Sequence, residues 1–269
     1  MFKVISLDID GTIKGSNGEP SLFTKQVLNE CVELGAVIYI ATGRSLKSAR
    51  LYTDKLDMIS NLISFQGALV TNSRQDDPIW KQTLSFDYVK VVLEYLKNKP
   101  FRVLAYVGDD IYVEKTDSWV SAYGERNRVE IREIDSLTDI GSSIYRILAV
   151  GHDDEIATLE SDMREKFSGK LYVTRSLPHF CEILSNKSGK DKALAWLCSQ
   201  NGYLREEVIA FGNGFNDVEM LGWAGRGVAI KGSEESAILV SDDIAGLADE
   251  EGVAVYLKTL LDMNQIGGI

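Results

Sequence analysis

The chain has little of what marks a disulfide scaffold, a nucleic-acid binder or a membrane protein. Its three cysteines, Cys31, Cys181 and Cys198, lie far apart and form no CxxC pair. An odd, scattered set argues against a disulfide framework and reads as three reduced thiols in helices or strands. Basic residues are outnumbered, 29 Lys and Arg against 40 Asp and Glu, which leaves a net charge of −11. That balance argues against nucleic acid or an anionic membrane as the main partner. An anionic ligand would need local positive charge, a helix N-terminus or a metal to hold it. There are two histidines, and His179 reads as structural or solvated rather than catalytic. No apolar run approaches the roughly 20 residues that span a bilayer. The first residues form a strand pattern with no signal peptide ahead of it, so a cytoplasmic location is expected. Internal repeats and low-complexity segments are absent.

What is present is ordinary for a soluble globular protein: 269 residues, 45% hydrophobic and 26% charged, enough for a sizeable core in one or two domains. Strand and helix patterns alternate, as in an α/β protein. Phe2 to Leu7 reads as a strand, followed by a helix capped by Ser21 or Thr24 and stopped at Gly35. Ala36 to Ala41 is the next strand, Ser45 a plausible N-cap, and Leu62 to Phe65 a third strand. From Lys81 to Ser185 the pattern changes to strands expected to be exposed on one face and amphipathic helices. Gly108-Asp109-Asp110 marks a hairpin there. This stretch reads as an α+β module inserted in the α/β pattern. The expected division is a core of residues 1–80 and 186–269 and an insert of 81–185. Lys192 to Gln200, Val208 to Phe211, Gly227 to Ile230 and Val253 to Leu261 resume the alternation, and Gln265 to Ile269 reads as a loose tail.

The most informative run is Asp8-Ile9-Asp10-Gly11-Thr12. It follows a buried-looking strand, and Gly11 lets the chain turn. Two carboxylates this close repel unless something positive sits between them, which a divalent metal and a phosphoryl group would supply. Two more strands end in polar clusters, Thr42-Gly43-Arg44 and Asn213 to Asp217. In a parallel sheet such ends share one edge, where ligands bind. A further cluster, Lys187 to Lys190, opens a helix just after the insert. Singly these have bland readings: Thr42-Gly43 as a strand-to-helix turn, Lys190 as a solvated lysine, Asn216-Asp217 as a helix cap. Together they supply a nucleophile, an acid/base, a hydroxyl donor, a cation and oxygen ligands for Mg²⁺, the needs of phosphoryl transfer.

In these motifs the chain resembles the haloacid dehalogenase superfamily phosphatases, in particular the Cof-type group with a large cap between the second and third motifs. The resemblance covers nearly the whole chain. Asp8 to Thr12 and Ala41 to Arg44 match the first two motifs, Lys190 the third, and Phe211 to Leu221 the fourth. It implies a Rossmann-like parallel-sheet core with an inserted α+β cap. It also implies that Asp8 attacks phosphorus and forms an aspartyl phosphate, with Asp10 as general acid and then base. Thr42, Gly43, Arg44, Lys190 and Asn216 would bind the substrate, with Thr42 and Lys190 also catalytic. Mg²⁺ would be held by Asp8, the Asp10 carbonyl, Asn213 and Asp217.

Two positions depart from the family pattern. Asn213 stands where Asp is usual, and removing that charge should weaken Mg²⁺ binding. Gln66-Gly67 stands where Asn-Gly is more common. Arg146, Arg175, His179, Tyr112 and Lys187 are candidates for the mouth of the site. The expected activity is Mg²⁺-dependent hydrolysis of a small phosphorylated metabolite by a monomer or small homo-oligomer, the cap choosing the substrate. A phosphomutase or phosphotransferase with the same intermediate, and a phosphometabolite-binding regulator, are the alternatives.

Overall fold

The computed structural model describes residues 1–16, 18–72, 74–75, 77–141 and 143–268. The chain begins with β1 (Val4–Leu7), α1 (Leu22–Glu33), β2 (Val37–Ala41), α2 (Leu46–Thr53), β3 (Ile59–Ser64), β4 (Leu69–Asn72) and β5 (Pro78–Lys81). Next come α3 (Phe86–Leu96), β6 (Arg102–Val107), β7 (Asp110–Val113), α4 (Ser118–Asn127) and β8 (Ile131–Glu133). These are followed by β9 (Ile144–Val150), α5 (Asp153–Lys166), β10 (Leu171–Leu177) and β11 (Phe180–Ser185). The last stretch holds α6 (Lys190–Gln200), β12 (Val208–Gly212), α7 (Val218–Trp223), β13 (Arg226–Ile230), α8 (Glu235–Val240), β14 (Asp243–Ala245) and α9 (Gly252–Asp262).

Eight strands form one sheet in the order β14-β13-β12-β1-β2-β3-β4-β5. The six from β14 to β3 are parallel, and β4 and β5 add an antiparallel edge. Parallel strands covered on both faces read as continuous apolar runs, and every residue of β1 and β12 is buried. Ile5 and Leu7 pack with Val27, Leu28 and Leu257 of α1 and α9. Val4 faces the other way, into a cluster with Ala193, Leu194 and Leu197 of α6. Helix starts follow local chemistry: the Ser21 hydroxyl accepts from the Thr24 N–H at 2.9 Å and the Ser45 hydroxyl from the Ser48 N–H at 3.3 Å, each satisfying a donor of the first turn.

Strand β1 lies between β2 and β12, with Val4 opposite Val37 on one side and Val208 on the other. The order reverses at this point, where a crevice opens beyond the strand ends. Asp8, Thr42 and Asn213 follow β1, β2 and β12, so they share that edge.

The second sheet has the order β10-β11-β9-β6-β7-β8. Its far face packs on α3 and α5 through Val89, Val92, Ile156 and Met163. Its near face joins the main core, where Tyr106 and Tyr145 meet Phe65.

Three sequence expectations need correction. Strands β9 and β11 are not exposed on one face; β9 is buried throughout and β11 up to Leu184. One face takes helices and the other lies against the first sheet, a contact no local pattern reports. The third strand stops at Ser64, because Phe65 and Gln66 take the left-handed backbone region with φ of 49° and 52°. The terminal segment is docked, not loose. Ile266 bridges Phe2, and the Gly267 N–H donates to the Phe2 carbonyl at 3.0 Å; Ile269 lies outside the described residues.

Among the described residues no helix is long and apolar enough to cross a membrane. Because Ile266 is 3% exposed in the main core, Ile266→Ala is expected to lower unfolding free energy by about 2 kcal/mol or more. Urea denaturation measures this, and an unchanged midpoint would show that the segment contributes no core.

Candidate active site

At the carboxyl end of β1, Asp8 is buried and its Oδ1 accepts a hydrogen bond from the Lys190 Nζ at 2.7 Å. The same ammonium donates to Asp217 Oδ1 at 2.7 Å. Lys190 opens α6 with a fully buried head group, where the helix dipole disfavours a cation. Burial opposes its charge, but Asp217 and Asp8 outweigh burial and hold it firmly protonated. Burial also pushes the Asp8 carboxyl up to about 7, against the pull of Lys190 and with the help of Asp217. The second oxygen of Asp217 accepts from the N–H groups of Asn213 and Gly214, both at 3.0 Å. This closes the turn after β12 and fixes the carboxylate that faces Lys190.

Asp10 sits apart from this cluster, its side chain 51% exposed. Arg44 grips it with Nε on Oδ2 and Nη2 on Oδ1, both at 2.6 Å, and the Lys14 Nζ adds a bond at 3.2 Å. Burial would raise its pKa, but Arg44 and then Lys14 outweigh burial and lower it. In this arrangement Asp10 is the anion, the form a base requires. The fork of Arg44 is therefore turned onto Asp10 rather than out into the crevice.

Thr42 is buried, and its Oγ1 accepts from the Arg44 N–H at 3.2 Å. Gly43 carries no side chain because the Gln66 amide packs on it; a Cβ there would lie 2.4 Å from Gln66 Nε2. Asn216 turns its amide toward Gln66 as well, donating from Nδ2 to Oε1 at 3.0 Å. Gly67 has φ of 84°, and a Cβ on it would meet the Gly189 carbonyl oxygen at 2.1 Å. The turn at 65–67 is thus pressed against the start of α6, next to Lys190.

Gln66 also donates to Glu182 Oε1 at 3.0 Å, and Arg146 Nη1 donates to Glu182 Oε2 at 2.5 Å. Arg146 and Glu182 are only 4% and 1% exposed, so Arg146 lines no mouth. Arg175 is paired with Glu160 Oε2 at 2.5 Å and stacks over the Phe215 ring at 4.1 Å. Lys187 is exposed, and Tyr112 and His179 are half-buried. The sequence motifs give Glu182 no role, and Arg146, expected at the mouth, is buried instead. A single charge inside each of the apolar runs Phe180 to Leu184 and Tyr145 to Val150 signals a buried pair. Which core groups the pair would meet has no local signal.

Asp8, the Asp10 carbonyl, the Asn213 amide oxygen and Asp217 offer only oxygen, the donor type that Mg²⁺ takes. That chemistry fits, but the carboxylate count is low. Among the described residues no group of three or more His, Cys, Asp or Glu is arranged to hold a metal ion. On this edge Asn213 adds no carboxylate: it carries no charge, and its Oδ1 accepts from the Thr12 hydroxyl at 3.0 Å.

The sequence profile of the haloacid dehalogenase-like hydrolase family matches residues 5–257. The chain is 26% identical over 261 residues to 5-amino-6-(5-phospho-D-ribitylamino)uracil phosphatase YitU of Bacillus subtilis, covering 95% of this chain and 96% of that protein. It is 31% identical to a haloacid dehalogenase-like hydrolase from Bacteroides thetaiotaomicron, with a TM-score of 0.82 over 97% of this chain and 100% of the other. A HAD subclass IIB sugar phosphatase shares the fold at 20% identity, with a TM-score of 0.82 over 98% and 100% of the two chains.

Removing the cation from between two buried carboxylates should be severe. Lys190→Met is expected to destabilise the fold by about 3–5 kcal/mol. The double variant Lys190→Met/Asp217→Asn should recover much of that loss in urea denaturation. A single variant as stable as the unmodified protein would show that Lys190 does not neutralise the site.

Proposed function

The chain belongs to the haloacid dehalogenase-like hydrolases, and on that premise we propose that it is a phosphatase. Its substrate is a small phosphorylated metabolite such as a sugar phosphate, a nucleotide or a cofactor phosphate. The observation that carries this reading is the buried Asp8–Lys190–Asp217 cluster at the end of the central strand. Lys190 holds one Asp8 oxygen, and the other takes no hydrogen bond from a described residue. That oxygen is the nucleophile.

In the first half-reaction Asp8 attacks phosphorus and the bond to the leaving oxygen breaks, giving an aspartyl phosphate. Asp10, an anion while Arg44 grips it, takes up a proton from solvent once the incoming phosphoryl group draws the Arg44 fork away, and delivers that proton to the departing alkoxide. In the second, water attacks the same phosphorus, Asp10 takes its proton, and phosphate departs from a regenerated Asp8. Thr42 donates its hydroxyl to a phosphoryl oxygen. Lys190 offsets the charge that gathers on Asp8 and the transferring group. Arg44, whose fork already suits a pair of oxygens on Asp10, also suits a phosphoryl group. Asp8, the Asp10 carbonyl, Asn213 and Asp217 would hold Mg²⁺, which would supply Lewis-acid stabilisation of the phosphoryl oxygens.

The second sheet meets this edge through Arg146 on the Gly43 carbonyl and Glu182 on Gln66, and on this reading it acts as a cover for the site. A folded phosphoprotein fits poorly beneath such a cover, and the substrate named for YitU is likewise a small phosphorylated molecule.

Phosphate release from p-nitrophenyl phosphate with Mg²⁺ tests the reading, and Asp8→Asn should lower it by three orders of magnitude or more. Release unaffected by the substitution would overturn Asp8 as nucleophile. Transfer to an added hydroxyl compound in place of release would identify a phosphotransferase. Asn213→Asp should bind Mg²⁺ several-fold more tightly in calorimetric titration and reach half-maximal rate at lower Mg²⁺. Equal or weaker binding would remove Asn213 from the metal site.

A further inference from the structure

Two strands of the second sheet reach into the phosphoryl end of the first. Register places Leu148 opposite Glu182 and Arg146 opposite Leu184, so Arg146 and Glu182 are diagonal neighbours on one face. Arg146 Nη1 makes two bonds, one to Glu182 Oε2 at 2.5 Å and one to the Gly43 carbonyl at 2.6 Å. Its guanidinium carbon lies 4.1 Å from the Tyr106 ring centre. Its Nε is buried with no partner among the described residues. An arginine buried this deeply, with one donor left unmade, is held for what the others reach.

What Nη1 reaches on the core is a peptide bond. The Gly43 carbonyl and the Arg44 N–H belong to the same unit, and that N–H donates to Thr42 Oγ1 at 3.2 Å. A charged donor on the carbonyl polarises the peptide and strengthens its N–H as a donor. With Oγ1 accepting from Arg44, the Thr42 hydroxyl proton is free to point at another acceptor. The chain continues behind Arg146: Glu182 holds the guanidinium, Gln66 donates to Glu182, and Asn216 donates to Gln66.

We propose that Arg146 is a positioning residue that orients the Thr42 hydroxyl through the Gly43–Arg44 peptide, so that the phosphoryl cradle is complete only when the second sheet is seated. This rests on the reading of Thr42 as a phosphoryl donor. Arg146 touches no substrate; it acts through the peptide, and Glu182 and Gln66 hold it in register. Seating the cover and arming the hydroxyl are then one event.

A double-mutant cycle in the full chain tests this. Arg146→Met alone would strand Glu182, so Arg146→Met/Glu182→Met, which removes both charges, is combined with Thr42→Val, and thermal midpoints confirm that each variant folds. With Thr42 present, the change at 146 and 182 should lower kcat for p-nitrophenyl phosphate by about tenfold to a hundredfold. In the Thr42→Val background it should change kcat by no more than about twofold, the sign of one shared route. Arg146→Lys, which keeps a charged donor near both acceptors, should retain most of the activity. Equal factors in the two backgrounds would overturn the proposal and leave Arg146 a docking contact. An unmodified protein that releases no phosphate from p-nitrophenyl phosphate or a panel of phosphorylated metabolites would overturn the phosphatase reading itself, and this inference with it.

Discussion

The buried ammonium of Lys190 between Asp8 and Asp217 is the constraint on which the site depends. Either carboxylate without it would be a desolvated charge facing another of the same sign. The lysine itself is tolerable at the start of α6 only because two anions outweigh the dipole and the loss of water. Its position then dictates the surroundings. Gly189 must take φ of 146° ahead of it, and Gly67 must lack a side chain for the neighbouring turn to fit against Gly189. Asp217 must be tied back to the backbone of 213 and 214 so that its other oxygen stays on the lysine.

How much of this was legible in the sequence follows from range. Asp8 after an apolar strand, Ser21 and Ser45 at helix starts, and Lys190 after the insert are local signals, and local chemistry acts on them. Phe65 and Gln66 are different. Two non-glycine residues in the left-handed region carry no signature of their own and persist because their N–H groups reach the carbonyls of Arg44 and Thr42, at 2.8 and 3.1 Å. The burial of β9 on both faces and the docking of Ile266 likewise depend on surfaces far away in the chain. Arg146 and Glu182 are single charges in apolar strands, yet Arg146 reads from sequence as a mouth residue and Glu182 as nothing in particular, because their shared task depends on Gly43, a residue with no side chain to read.

The seam between the two sheets combines two kinds of contact. Phe65, Tyr106 and Tyr145 form an apolar bridge, Phe65 stacking on Tyr145 with ring centres 5.0 Å apart. Such contact is non-directional and tolerates sliding. The polar chain from Asn216 through Gln66 and Glu182 to Arg146 does not, since each bond has its own length and direction. Apolar area therefore favours closure in general, and the polar chain selects one closed arrangement. Any small rotation of the second sheet would strand Glu182 or the Gly43 carbonyl away from water.

The pairing of β1 with β12 also orders events in time. Val4 pairs with Val208, 204 residues further along the chain, so the central strand waits with one edge open while the ribosome builds everything between. During that interval Asp8 has neither its lysine nor the partner carboxylate, and β1 to β3 offer a bare parallel edge to any neighbour. Closing so distant a contact is slow. The strands of the second sheet pair nearer in sequence, and all precede α6, so a nascent chain stalled before α6 would hold every cover strand and lack both Lys190 and Asp217.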